Sequence, residues 1–144
     1  MARTSTYLNF MGKTEAAFTF YRSVFGTDFV GQTMRMGDAP PIPGRPPLPE
    51  AERGMLMHIE LPILGGHVLM GTDMLESMGH QLVAGNNFSI MLEPDTRAEA
   101  ERLYRALGDG GKVMIPLEDV FWGAYFGCVM DKFGVQWMVN CTAK

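Results

Sequence analysis

Basic charge is scarce in this sequence, and what there is lies scattered. Twelve Lys and Arg stand against sixteen Asp and Glu, for a formal charge of −4. A nucleic-acid partner calls for a concentrated basic surface, so nucleic acid is excluded as a main partner. Long apolar runs are missing as well. No stretch approaches the ~20 residues of a spanning helix, so no membrane partner is expected. The opening MARTSTYLNF has no apolar signal core, and the expected location is cytoplasmic. Cysteine is down to two residues, Cys128 and Cys141. Both fall in strand-like segments, where a free Cys is usually a small buried residue. Histidine is down to three, His58, His67 and His80, which confines imidazole chemistry to a few places.

Against these shortages stand 144 residues, 47% of them apolar, and thirteen methionines. That is enough chain for a single domain with a substantial core. The methionines read either as flexible core filler or as the lining of an adaptable apolar cavity.

The most legible stretch runs from Leu117 to Asn140. Residues 125–130 and 135–140 alternate with the two-residue period of a hairpin, joined through Asp131-Lys132-Phe133-Gly134. Val135, Trp137 and Val139 share one face; Gln136, Met138 and Asn140 share the other. Upstream, residues 4–10 predict a strand. A helix follows to about Phe25, with Ala17, Phe20, Tyr21 and Val24 as its buried stripe, and Gly26 ends it. Residues 28–36 predict a second strand. Residues 37–54 hold six of the nine prolines and read as a surface excursion, either a flap or a tolerated insertion. Strands are predicted again at 55–61, 67–70 and 88–92. A second helix begins with Thr96 and Glu99 at capping-box spacing and buries Ala100, Leu103, Tyr104 and Leu107. A short strand at 112–115 precedes the final hairpin.

The second half therefore repeats the first. The helix stripes match at an offset of 83, and the hairpins at an offset of 69, with Gly65 set against Gly134. The pattern implies an α+β fold built from two tandem βαβββ modules, about 1–72 and 86–144, with the proline-rich loop 37–54 carried only by the first.

Two such units, with FYRSVFG after the first strand, GG in the first hairpin and DKFG in the last, resemble the vicinal oxygen chelate superfamily of glyoxalases, bleomycin-resistance proteins and extradiol dioxygenases. Within it, YLNF…EAAFTFYRSVFG, the PP-rich loop, LMGTD, GGKVMIPLEDVFWGAYFG and DKFGVQWMVNC are similar to the PhnB-like branch, over nearly the whole chain. The resemblance implies a U-shaped, incompletely closed mixed sheet around a cavity with the helices outside, and a homodimer. It also implies, for classic members, a divalent metal held by His, Glu or Gln from the first and last strands of each module. Carried over, those positions fall near Ser5, Asn87, Leu69 and Met138. A shift of one residue either way brings in no His, Asp or Glu. No metal or other cofactor is therefore expected.

Chemistry has to come from elsewhere. If Met138 faces the cavity, so do Gln136 and Asn140, and the 69-residue offset adds His67, His58, Glu60 and Tyr125. Tyr7, Asn9 and Asn87 complete the lining. His58 and Glu60 stand two apart on one strand, so both emerge on one face; a carboxylate beside an imidazole suits a general base. They are the candidate catalytic pair. Tyr7, Asn9, His67, Asn87, Trp122, Tyr125, Gln136 and Met138 are the candidate ligand-binding residues, with Trp122 and Tyr125 offering stacking surfaces to a planar molecule. His67 could join His58 and Glu60 in a nonclassical metal site. Gly108-Asp109-Gly110-Gly111 follows a helix instead of opening one, so it offers no phosphate cradle. The expected function is binding of a small organic molecule in a metal-free cavity. The alternatives are a metal-dependent lyase, isomerase or transferase, and a ligand-free structural dimer with a Met-filled interior.

Overall fold

In the computed structural model, which describes residues 1–143, the chain forms two compact units, residues 1–83 and the chain from Ala84 onward. The first unit runs β1 (Thr6–Phe10), α1 (Thr14–Phe25), β2 (Val30–Arg35), a short α2 (Glu50–Arg53), β3 (Leu56–Pro62) and β4 (Val68–Asp73). The second runs β5 (Ile90–Leu92), α3 (Arg97–Gly108), β6 (Lys112–Asp119), β7 (Tyr125–Met130) and β8 (Gln136–Cys141). Each unit holds one four-stranded mixed sheet, ordered β1-β4-β3-β2 in the first and β5-β8-β7-β6 in the second. The first strand is parallel to the last, and the other pairings are antiparallel. Neither sheet closes on itself. The fold is α+β, and the repeat is of a βαβββ unit.

In the first unit, alternation puts Leu8, Phe10, Ile59, Leu61 and Leu69 on the buried side of the sheet. The helix that covers it buries Ala17, Phe18, Tyr21 and Val24. Phe18 takes the place expected for Phe20, which is half-buried. Phe18 fits because β4 carries glycine opposite it: a Cβ on Gly71 would lie 2.4 Å from the Phe18 ring. The helix start is held from outside. Asp73, at the end of β4, accepts the Thr14 amide (3.1 Å) and hydroxyl (2.7 Å) on Oδ1 and the Leu56 amide (2.9 Å) on Oδ2. A carboxylate at a helix N-terminus meets both orphan amides and the positive end of the helix dipole.

The second unit does the same work with different devices. Trp137, Val139 and Val129 pack beneath Ala100, Leu103 and Leu107. Tyr104, expected in that stripe, is half-buried, and its hydroxyl donates to the Ile115 carbonyl. The start of α3 is capped locally, by the Thr96 hydroxyl accepting from the Glu99 amide at 3.1 Å. Asp131 sits under the last hairpin turn and accepts the Phe133 and Val135 amides (2.8 and 3.1 Å) and the indole Nε1 of Trp137 (2.8 Å). The edge strand β6 is longer than the expected 112–115 and reaches Asp119, through two register shifts against β7.

The turns fix how the halves correspond. Gly66 bonds back to Ile63, and Gly134 bonds back to Asp131. The Ile63 amide donates to the His67 carbonyl as the Asp131 amide does to the Val135 carbonyl. The hairpins therefore superpose with Gly66 against Gly134, one residue away from the offset read in the sequence. A one-residue slip exchanges the two faces of a strand, and its consequences fall on the candidate site.

Residues 40–47 of the proline-rich segment are exposed, and its ends are pinned. Arg53 donates to the Gly37 carbonyl, and Arg35 donates to the Gly54 carbonyl while pairing with Glu15. Glu52, buried on α2, accepts the Ser77 amide and hydroxyl.

Candidate functional site on the open sheet faces

Each sheet has one face covered by its helix and one face turned away from it. On the first sheet the open face carries Tyr7 and Asn9 from β1, Met70 and Thr72 from β4, and His58 and Glu60 from β3. The register places Tyr7 beside Met70, Met70 beside Glu60, and Asn9 beside Thr72. His58 and Glu60 thus share a face as expected, and Tyr7 joins them.

These side chains form a continuous row of polar contacts. The Tyr7 hydroxyl lies 3.0 Å from His58 Nδ1, His58 Nε2 lies 3.3 Å from Glu60 Oε2, and Arg3 reaches Glu60 Oε1 at 3.3 Å. The Tyr7 and His58 rings are tilted by 37° with centroids 5.7 Å apart. Tyr7 keeps 45% of its surface exposed. Burial raises its phenol above the ordinary range; the Thr72 hydroxyl works against that, and the Glu60 charge adds to it. Glu60 can lie flat because β2 bulges beside it. Gly31 sits there at φ +67°, between shifted registers, and a Cβ at that position would come within 2.7 Å of Glu60 Oε2. Neither Arg3 nor Gly31 was among the expected site residues. The signal for Gly31 was present, since glycine inside a strand pattern marks a bulge or a close approach.

Two expected members of the site lie elsewhere. His67 shares its face with Leu69 and Gly71, the helix side, and its Nε2 pairs with the Thr6 hydroxyl at 2.8 Å. Tyr125 likewise faces α3: its hydroxyl donates to Glu101 and the Arg97 guanidinium lies 3.9 Å over its ring. Both corrections follow from the hairpin offset. The same slip puts Phe126 and Cys128 on the open face of the second sheet, in place of Tyr125. Gly127 instead faces α3, where a Cβ would meet Tyr104 at 2.7 Å. Leu56 is buried at the Asp73 clamp.

The open face of the second sheet carries Met91, Met138, Asn140, Phe126 and Cys128, with Met138 between Met91 and Cys128. Gln136 shares this face but is buried, its amide donating to the Phe88 carbonyl at 3.0 Å. Asn87 is exposed in the bend before β5. Trp122, 54% exposed, packs edge-on between Phe121 and Phe126. Burial pushes the Cys128 thiol up, with the Ser89 hydroxyl offsetting part of it. The unfolded chain therefore loses this proton first as pH rises, and unfolding gains from it. Stability should be flat below the ordinary thiol range and fall above it. Urea midpoints across mildly alkaline pH check this, and Cys128→Ala should flatten the decline.

Among the described residues, no three His, Cys, Asp or Glu side chains converge on one point. The first and last strands contribute tyrosine, asparagine, methionine and threonine to the open faces, together with the buried Gln136, whose amide is engaged with the Phe88 carbonyl. Those donors do not fit the divalent ion of classic members, which needs three or four strong ligands. Neither long helix offers an open N-terminus to a phosphate either, because Asp73 occupies one and Thr96 the other.

A family model described as 3-demethylubiquinone-9 3-methyltransferase matches residues 2–140. Protein YjdN of Escherichia coli is 26% identical over 148 residues, covering 97% of this chain and 95% of that protein. The solved structure of PA1353 from Pseudomonas aeruginosa aligns with a TM-score of 0.83 at 35% identity, over 100% of both chains. A Bacillus cereus structure described as a putative 3-demethylubiquinone-9 3-methyltransferase, PhnB protein, aligns at 0.76 with 26% identity, covering 97% of this chain and 99% of that one. A glyoxalase/bleomycin resistance protein/dioxygenase family enzyme from Burkholderia phytofirmans shares the fold at a TM-score of 0.61 and 15% identity, over 95% of this chain and 97% of that one.

Proposed function

From the premise that the chain belongs to the 3-demethylubiquinone-9 3-methyltransferase family, the PhnB-like members of the glyoxalase/bleomycin-resistance/dioxygenase fold, we propose that it binds a small organic molecule on the open face of its first sheet without a metal. The observation that carries this reading is the composition of that face. A tyrosine ring, an imidazole and a methionine lie side by side, and a polar row at their edge ends on Glu60 and Arg3. Apolar area with a few convergent polar groups is the usual make-up of a small-molecule site. His58 and Glu60 are the acid–base pair of this reading, and Tyr7, Asn9 and Met70 its contact surface. The methyl transfer in the family's description would need a cofactor cradle, and both long helix starts are already capped from within the chain.

The test combines metal analysis of the purified chain with a thermal-shift screen of small aromatic and carbonyl compounds. The expected result is no stoichiometric metal and a stabilising compound whose effect shrinks in His58→Ala. A stoichiometric divalent ion whose stabilisation is lost in the same variant would overturn the metal-free reading. A homodimer in the cytoplasm belongs to the same proposal, by family resemblance, and sedimentation of the purified chain tests the dimer.

A further inference from the structure

The row on the first sheet has a direction. The ionised Glu60 carboxylate lies 3.3 Å from His58 Nε2 and has no proton to offer, so its charge favours the tautomer with the proton on Nε2. Neutral imidazole carries one N–H, which leaves Nδ1 as an acceptor. Tyr7, 3.0 Å from Nδ1, must then donate to it. Arg3 donates to the other Glu60 oxygen. The Tyr7 proton is thus directed along the row toward His58, and the lone pairs of its oxygen are left to accept, beside the Thr72 hydroxyl.

We infer that Tyr7 is an acceptor that selects ligands bearing a weakly acidic hydroxyl, of the phenol type, and that Tyr7 and His58 relay the ligand's proton along the row toward Glu60. This rests on the metal-free binding proposed above and adds the class of ligand. The balance is simple. The ligand's O–H bond breaks as its proton passes to the Tyr7 oxygen, and the Tyr7 proton passes to His58 Nδ1. The ligand is left as an oxyanion and His58 as an imidazolium, which Glu60 neutralises. Tyr7 stays neutral throughout, in keeping with a phenol that burial and the Glu60 charge hold in its protonated form. The groups that meet this row from neighbouring strands are Met34 and Val30 on β2 and Met70 and Thr72 on β4. None of them brings a competing charge. A planar ring seated here would lie against Tyr7, His58 and Met70.

Two arms test it on the full chain. In the first, nitrogen NMR of ligand-free protein should show neutral His58 protonated on Nε2, a preference lost in Glu60→Gln. Protonation on Nδ1 would reverse the row and overturn the inference. In the second, 4-nitrophenol is the probe, titrated at a pH below its own ionisation. Wild type should develop the phenolate absorption band saturably. Tyr7→Phe should weaken binding roughly three- to tenfold, the worth of one hydrogen bond, and His58→Gln should bind the probe without ionising it. Binding seen by NMR with no phenolate band in wild type would sink the relay while leaving the binding reading intact. No binding up to the probe's solubility limit would sink the ligand class. A compound found in the thermal-shift screen would then keep the broader reading alone.

Discussion

Replacing Asp131 with alanine is expected to lower the unfolding free energy by about 3–5 kcal/mol, because it strands donors that cannot all reach water. The carboxylate is buried and accepts two turn amides and the Trp137 indole. Trp137 is among the largest fully buried side chains, so the hydrogen bond lost with the carboxylate is one that solvent cannot replace. An unpaired buried donor costs roughly 1–3 kcal/mol, and the two amides add less because Phe133 and Val135 are half-buried. Asp131→Asn retains one carbonyl oxygen and should recover part of the loss. Urea unfolding followed by tryptophan fluorescence measures both. A loss under about 1 kcal/mol in the alanine variant, the size of one surface contact, would mean that the carboxylate does not organise the hairpin.

Asp73→Ala is the counterpart in the first unit, expected to cost a similar ~3–5 kcal/mol. Here the stranded groups are the Thr14 amide and hydroxyl and the Leu56 amide, and Thr14 is fully buried. The asparagine variant discriminates between roles. It can keep an oxygen toward Thr14 or toward Leu56, and its amide nitrogen then faces an N–H on the other side. Asp73→Asn should therefore remain about 1–3 kcal/mol below wild type. Calorimetry of the three proteins checks the order. An asparagine variant as stable as wild type would show that only one of the two oxygens matters.

How far the residues alone led can be followed at particular positions. The final hairpin was legible because Tyr125–Met130 and Gln136–Cys141 alternate cleanly and Gly134 marks the turn. Both long helices were legible from their periodicity, and Thr96 announced its cap. The face assignment of the first hairpin was not. Gly65 and Gly66 both have positive φ, and aligning the first of them with Gly134 shifts the repeat by one. That single residue carried His67 and Tyr125 onto the wrong side while leaving Met138 and Asn140 on the right one. His58 and Glu60 keep the expected face because Glu60 pairs with Met70 of β4 and His58 stands two residues away on the same strand. Phe18 displaced Phe20 because the choice depends on a space at Gly71, which lies far off in the chain. The row from Tyr7 to Arg3 joins β1 to β3 across more than fifty residues, and no local pattern encodes such a pairing.

The two helix caps also set an order of events. The donor and acceptor that start α3 are three residues apart, so this helix can begin as soon as its own sequence is available. Those that start α1 are 59 residues apart, with the whole proline-rich excursion between them. Closing such a loop carries an entropic cost before any contact returns it, and contacts distant in sequence slow folding. The second unit can nucleate its helix and then lay down its sheet. The first must bring β4 home before its helix has a secure beginning, so two copies of one architecture reach it by opposite routes.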